Sequence, residues 1–186
     1  GIDELRFAST TANQILSVFA GDTGLEFVTI AGTLALHVNA AAAPNGLAIS
    51  GNTGNNTLTG SIAADTLIGG LGNDTLTGGL GIDVFRFNNA LNATTNVDRI
   101  TDFSIADSDG IQLENNVFTA LTTTGTLAPT AFLAAAAATT AAQRILYDTT
   151  NGNLFYDPDG TGATAATLFA TLNTGLALTN DRFSVT

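Results

Sequence analysis

The sequence predicts an all-β fold: a right-handed parallel β-roll, or β-solenoid, closed by a β-rich carboxyl-terminal cap that contains a short helix. Two observations carry this. Four consecutive nine-residue units run from Gly51 to Arg86 (GNTGNNTLT, GSIAADTLI, GGLGNDTLT, GGLGIDVFR) and share the form Gly-Gly-x-Gly-x-Asp-x-apolar-x. Upstream of them, short β-prone segments (LRF, ILSVF, LEFVTI, TLALHV, LAI) recur between Gly, Asn, Asp and Pro turn signals, about ten residues apart.

Each nine-residue unit reads as a tight six-residue loop followed by a very short strand. Glycine supplies backbone geometries that a Cβ would forbid. The apolar eighth position (Leu58, Leu67, Leu76, Phe85) is the inward side chain. Two units make one coil, so alternate members stack eighteen residues apart and loops stack on loops. The sixth positions then fall in register, Asn56 over Asp74 and Asp65 over Asp83, with backbone carbonyls from both loops facing the gap. Carboxylates brought this close repel unless a cation lies between them. Calcium suits such a gap, because it accepts six to eight oxygen ligands in flexible geometry, whereas magnesium requires a stricter octahedron and zinc prefers nitrogen and sulfur. The chain has no cysteine and a single histidine, His37. The blander reading is that these Asn and Asp residues only form Asx turns. Four units in phase, two of them perfect (Gly69 to Thr77 and Gly78 to Arg86), favour the metal. Asn56 in place of a carboxylate predicts weaker binding in the first gap.

These units resemble the nonapeptide repeats of the RTX (repeats-in-toxin) family, whose β-roll coils bind calcium through such loops. The resemblance implies that the Gly51 and Thr53 carbonyls with Asn56 face the Gly70 and Gly72 carbonyls with Asp74, and that Gly60, Ile62 and Asp65 face Gly79, Gly81 and Asp83. It adds the carbonyls of Gly69, Leu71, Gly78 and Leu80 from the two complete units. The nine-residue count puts Asn92 at the next ligand position, above Asp74. The segment VDRITDFSIADSDGIQL resembles the Asp-x-Ile-x-Asp-Phe stretch that closes the roll in RTX proteases of the serralysin type. By that resemblance Asp98 and Asp109 cap a final calcium beside Asp83, with Asp107 a rival to Asp109.

Composition narrows the function. Sixteen acidic residues against five arginines and no lysine give a formal net charge of -11, so the chain repels itself until cations neutralise the carboxylates. Metal binding and folding are therefore expected to be one process. A pI near 4.1 and the lack of a basic stripe argue against nucleic acid. The sequence has no run of eighteen apolar residues and no amino-terminal signal segment, which predicts no transmembrane segment and a chain that is part of a longer protein.

Three regions are expected: degenerate solenoid coils over 1–50, the repeat roll over 51–95, and a capping and export region over 96–186. In the first, Ile30, Ile49, Leu67 and Phe85 are expected to form one apolar row, and Val38, Leu58 and Leu76 a second. A separate small β-sandwich is the competing reading of 1–50. In the last region, the alanine-rich stretch from Thr130 to Gln143 has helix propensity with Pro129 and Thr130 at its start, and reads equally as a loop. RILYDTTNGNLFYDPDG predicts a hairpin turning at Asn151-Gly152. Asp157, Asp159 and Gly160 begin like an EF-hand, but Leu168 stands where a bidentate Glu is required. This end resembles the export region of RTX proteins that leave through a type I secretion apparatus, which implies a chain kept unfolded in a calcium-poor cytosol and folded outside the bacterium by calcium.

An enzyme is not expected. His37 alternates with Leu36 and Val38 as an outward strand residue, and no phosphate loop, zinc motif or nucleophile elbow occurs. Ala, Thr, Gly, Asn and Leu richness with no lysine, tryptophan or methionine looks like bacterial surface-layer and adhesin proteins, which implies self-association into a lattice. Other readings are the carboxyl-terminal module of an RTX protease or lipase, and ice binding through the Thr57-Leu58-Thr59 and Thr75-Leu76-Thr77 pairs, a threonine row interrupted upstream by Ala48 and Ser50.

Overall fold

Strands of two to five residues, separated by loops, run the length of the chain, and the computed structural model describes all residues 1–186. In chain order they are β1 (Glu4–Phe7), β2 (Ile15–Ser17), β3 (Phe27–Ile30), β4 (His37–Asn39), β5 (Ala48–Ser50), β6 (Thr57–Thr59), β7 (Thr66–Ile68), β8 (Thr75–Thr77), β9 (Val84–Phe87), β10 (Asp98–Ile100), β11 (Gly110–Leu113), β12 (Gly125–Thr126), β13 (Phe132–Leu133), β14 (Ile145–Asp148), β15 (Asn153–Tyr156), β16 (Thr167–Thr171) and β17 (Phe183–Val185).

Through β11 the chain alternates between two sheets. One has the order β1-β3-β5-β7-β9-β11-β17-β12, the other β13-β14-β15-β16-β10-β8-β6-β4-β2. Neighbours from β1 to β11 and from β2 to β10 pair in parallel. Two strands therefore make one coil of a parallel solenoid, and the strands of residues 1–50 belong to the same ladders. That pairing leaves no place for a separate antiparallel sandwich.

The core is two stacked apolar rows. Val28, Ile49, Leu67, Phe85, Ile111 and Phe183 pair successively in one sheet, and Leu16, Val38, Leu58, Leu76 and Ile100 in the other. The second row runs as the sequence spacing predicts. The first is corrected at its start, where Val28 rather than Ile30 lies beside Ile49. Both side chains are buried because residues two apart share a sheet face, so spacing alone cannot choose between them.

Downstream, β16 adds in parallel to β10, β15 and β14 follow as antiparallel neighbours, and β17 adds in parallel to β11. Phe118 packs edge-on against Tyr156 and Phe169, at centroid separations of 5.1 and 5.3 Å, and fills the junction of cap and roll. The alanine-rich segment forms no α-helix. Pro129–Ala131 makes one turn of 3₁₀ helix, β13 follows, and the remainder is loop in which the Thr139 and Thr140 amides donate to the Gln143 Oε1. A run of alanines has little side chain to bury, and short helices without tertiary packing are marginal. The hairpin of β14 and β15 is present, but residues 149–152 make a four-residue loop instead of a two-residue turn.

Candidate metal centre

The repeat loops are built by glycine where chain crosses chain. Gly70 has φ of +101°, and a Cβ there would run into the Asn52 carbonyl of the preceding coil. A Cβ on Gly78 would fall against the Asp83 Oδ2. Each loop thus passes close to its neighbour, and a side chain would fill the space beside the carboxylate.

The sixth-position side chains form two ladders on opposite edges of the roll. On one edge the Asn56 amide donates to the Asp74 Oδ1 at 2.7 Å, and the Asp74 amide to the Asp98 Oδ1 at 3.1 Å. On the other, the amides of Leu47, Asp65 and Asp83 donate to the Oδ1 atoms of Asp65, Asp83 and Asp109 at 2.6, 2.9 and 3.0 Å. One oxygen of each carboxylate therefore fastens it to the coil before. Asn56 ends its ladder, since its Nδ2 donates to the Leu36 carbonyl at 2.8 Å, a contact an aspartate could not make.

The second oxygens meet a different environment. The Asp74 and Asp83 Oδ2 atoms are buried and accept no hydrogen bond. The Asp74 and Asp98 Oδ2 atoms both lie beside Gly69. All five stacked aspartates are at most 5% exposed, and burial raises every carboxyl above its ordinary range. For Asp83 burial, helped by the charges of Asp109, Asp65 and Asp102, raises it to about 7. The carbonyls of Gly51, Thr53, Gly60, Ile62, Gly69, Gly70, Leu71, Gly72, Gly78, Gly79, Leu80 and Gly81 accept no hydrogen bond within the chain. The two buried carboxylate oxygens are costly unless something binds them, and the free carbonyls lie on the same loops. No three acidic side chains converge, so a cation here would draw on two carboxylates at most and otherwise on carbonyls, a hard-oxygen donor set that fits calcium.

Several expected residues are placed differently. Asp98 lies beneath Asp74 and Asp109 beneath Asp83, so the two end separate ladders and do not jointly close one gap beside Asp83. Asp107 is exposed. Asn92 does not stack on Asp74. The coil between Asp74 and Asp98 spans 24 residues, and Asn92 turns within the added loop, its Oδ1 accepting the Thr94 and Thr95 amides. Asp102, the second aspartate of the Asp-x-Ile-x-Asp-Phe stretch and given no role by the sequence, accepts the Gly78 amide on Oδ1 and the Gly79 amide on Oδ2, both at 2.9 Å. Its offset of 24 residues from Gly78 equals that of Asp98 from Asp74, a signal that counting in nines hides.

Other marked residues have local roles. The His37 Nδ1 accepts the Thr57 amide at 2.9 Å. The Asp157 Oδ1 accepts the Asp159 and Gly160 amides, an Asx turn. The threonine pairs of β6 and β8 face each other in register, but their upstream neighbours are His37 and Asn39, because Ala48 and Ser50 lie in the other sheet. No helix is long and apolar enough to cross a membrane.

No curated protein matches the chain. Residues 50–85 match the model of the RTX calcium-binding nonapeptide repeat in four copies. The stacked loops of residues 50–85 are thus RTX calcium-binding nonapeptide repeats, wound into a parallel β-roll.

Proposed function

We propose that the chain is a calcium-gated β-roll that folds outside the bacterial cell and serves as the export and assembly module of a secreted or surface-layer protein. The observation that carries it is the coincidence of two orphaned carboxylate oxygens with a full set of unpaired loop carbonyls. In the first gap the ligands are Asn56 and Asp74 with the carbonyls of Gly51, Thr53, Gly70 and Gly72. In the second they are Asp65 and Asp83 with those of Gly60, Ile62, Gly79 and Gly81. Asp98 and Asp109 complete two further gaps, with the carbonyls of Gly69 and Leu71 and of Gly78 and Leu80. Calcium supplies the positive charge that lets buried carboxylates ionise, and the chain supplies oxygens held at fixed spacing.

The division of labour follows the three regions: apolar coils over 1–50, calcium loops over 51–95, and over 96–186 a cap whose final strand is what an export apparatus would engage before folding. Extracellular calcium modules bind in the range of about 10⁻⁴ to 10⁻³ M, which suits a chain unfolded in the cytosol and folded outside. Surface-layer assembly is favoured by composition. The roll carries no catalytic constellation of its own, so any parent enzyme would place its chemistry elsewhere.

The test is a calcium titration of the EDTA-stripped chain followed by far-UV circular dichroism and light scattering. Calcium-dependent β signal with growth in particle size supports a folding and assembly module. Calcium-dependent folding of a strict monomer removes the lattice role, and a β spectrum indifferent to calcium removes the whole reading.

A further inference from the structure

We propose that Asp102 is a positioning residue that holds the loop of the fourth repeat in place for calcium by capturing its two glycine amides. The inference rests on the calcium reading above and adds a residue to it. In the first two repeats the second-position amide is tied to the repeat's own sixth-position side chain: Asn52 donates to the Asn56 Oδ1 at 2.9 Å and Ser61 to the Asp65 Oδ2 at 2.6 Å. The Ser61 hydroxyl adds a further hydrogen bond to that same Asp65 oxygen at 3.0 Å. The third and fourth repeats, with Gly70 and Gly79 at the second position, both leave that side-chain oxygen free, on Asp74 and on Asp83, and the fourth is set apart by where its glycine amides go. Its second-position amide, Gly79, donates to the Asp102 Oδ2, and its first-position amide, Gly78, to the Asp102 Oδ1.

The rewiring follows from the end of the regular coils. In the earlier repeats the first-position amides, Gly51 and Gly60, donate to the strand carbonyls of Ile68 and Thr77 one coil on. Below Gly78 that coil carries the 24-residue spacing, and Asp102 stands in the glycine row with a side chain that reaches back. The Thr77 and Thr101 hydroxyls, 2.8 Å apart, hold the preceding residues in the same register. A carboxylate on the Gly79 amide also polarises that peptide, whose carbonyl belongs to Gly78, one of the unpaired loop oxygens.

The experiment is a double-mutant cycle read by calcium titration of the full chain. Asp102→Asn keeps the side-chain volume but replaces one acceptor with a donor, so one of the two glycine amides loses its hold. One step of the titration is expected to weaken by about tenfold to a hundredfold, the usual scale for a residue that orients a metal ligand. In an Asp83→Asn background the same change is expected to have little further effect, whereas a merely structural residue would act additively. Unchanged affinity in Asp102→Asn, or additive losses, overturns the proposal. A wild-type chain that takes up no calcium at millimolar concentration removes the underlying reading as well. If Asp102→Asn does not fold at saturating calcium, amide exchange in the loaded wild-type chain decides: slow exchange at Gly78 and Gly79 is expected, and fast exchange at both overturns the capture.

Discussion

At the scale of single residues, the stacked aspartates set calcium-free and calcium-bound stability against each other. Burial lifts their carboxyl groups above the ordinary value near 3.8, Asp83 to about 7. In the calcium-free chain these groups hold more protons folded than unfolded, so stability is fully present below about pH 3.8 and is lost as the pH rises through about 7. EDTA-treated protein is accordingly expected to show more β structure by circular dichroism at pH 4 than at pH 7.5. A spectrum more ordered at pH 7.5 contradicts this. The same logic gives Asp74→Asn opposite effects in the two states. The neutral amide removes a buried charge with an unpaired oxygen, so the calcium-free melting temperature at pH 7.5 rises, while a carboxylate ligand is lost and calcium affinity falls at least tenfold. Paired thermal melts with EDTA and with calcium check both signs.

At the scale of the element, a loop of a repeat differs from an ordinary turn because another loop lies against it. Gly70 and Gly32 both have positive φ, +101° and +82°, yet a Cβ meets the Asn52 carbonyl at the first and open space at the second. Gly32→Ala is expected to cost about 1 kcal/mol through the backbone alone, and Gly70→Ala about 2 kcal/mol more through the clash, as read by chemical denaturation in calcium. Equal costs would mean that the loops do not pack as described. This distinction also explains what the sequence could reveal. Where every unit has nine residues, register is legible, and Leu58 over Leu76 and Asp65 over Asp83 follow from counting. Where a loop lengthens, the extra residues bulge outward without altering the strand pairing. Counting then points to Asn92 although Asp98 occupies the ladder, and misses Asp102 altogether. The Val28 and Ile30 ambiguity has another origin, two inward residues on one strand. The alanine-rich segment was ambiguous because propensity without an apolar face does not determine structure.

At the scale of the whole molecule, the carboxyl terminus is part of the roll. The strand Phe183–Val185 continues the sheet in parallel beyond Gly110–Leu113, and Phe183 extends the row of Ile111 and Phe85 while packing against Phe132. A solenoid is stabilised mainly by contacts between adjacent coils, so damage at one end decays along the stack. Phe183→Ala should therefore cost about 3 to 5 kcal/mol of cap stability and weaken calcium binding in the Asp83/Asp109 gap, which lies on the adjoining strands. The Asn56/Asp74 gap, farther up the stack, should retain its affinity. Calcium titration of this variant separates two kinds of molecule. Loss confined to one step means that the coils fold as a chain of neighbours, with the cap holding the last gap. Equal weakening of every step means that the 32-residue apolar core folds as a single cooperative unit, in which the final strand controls calcium binding throughout.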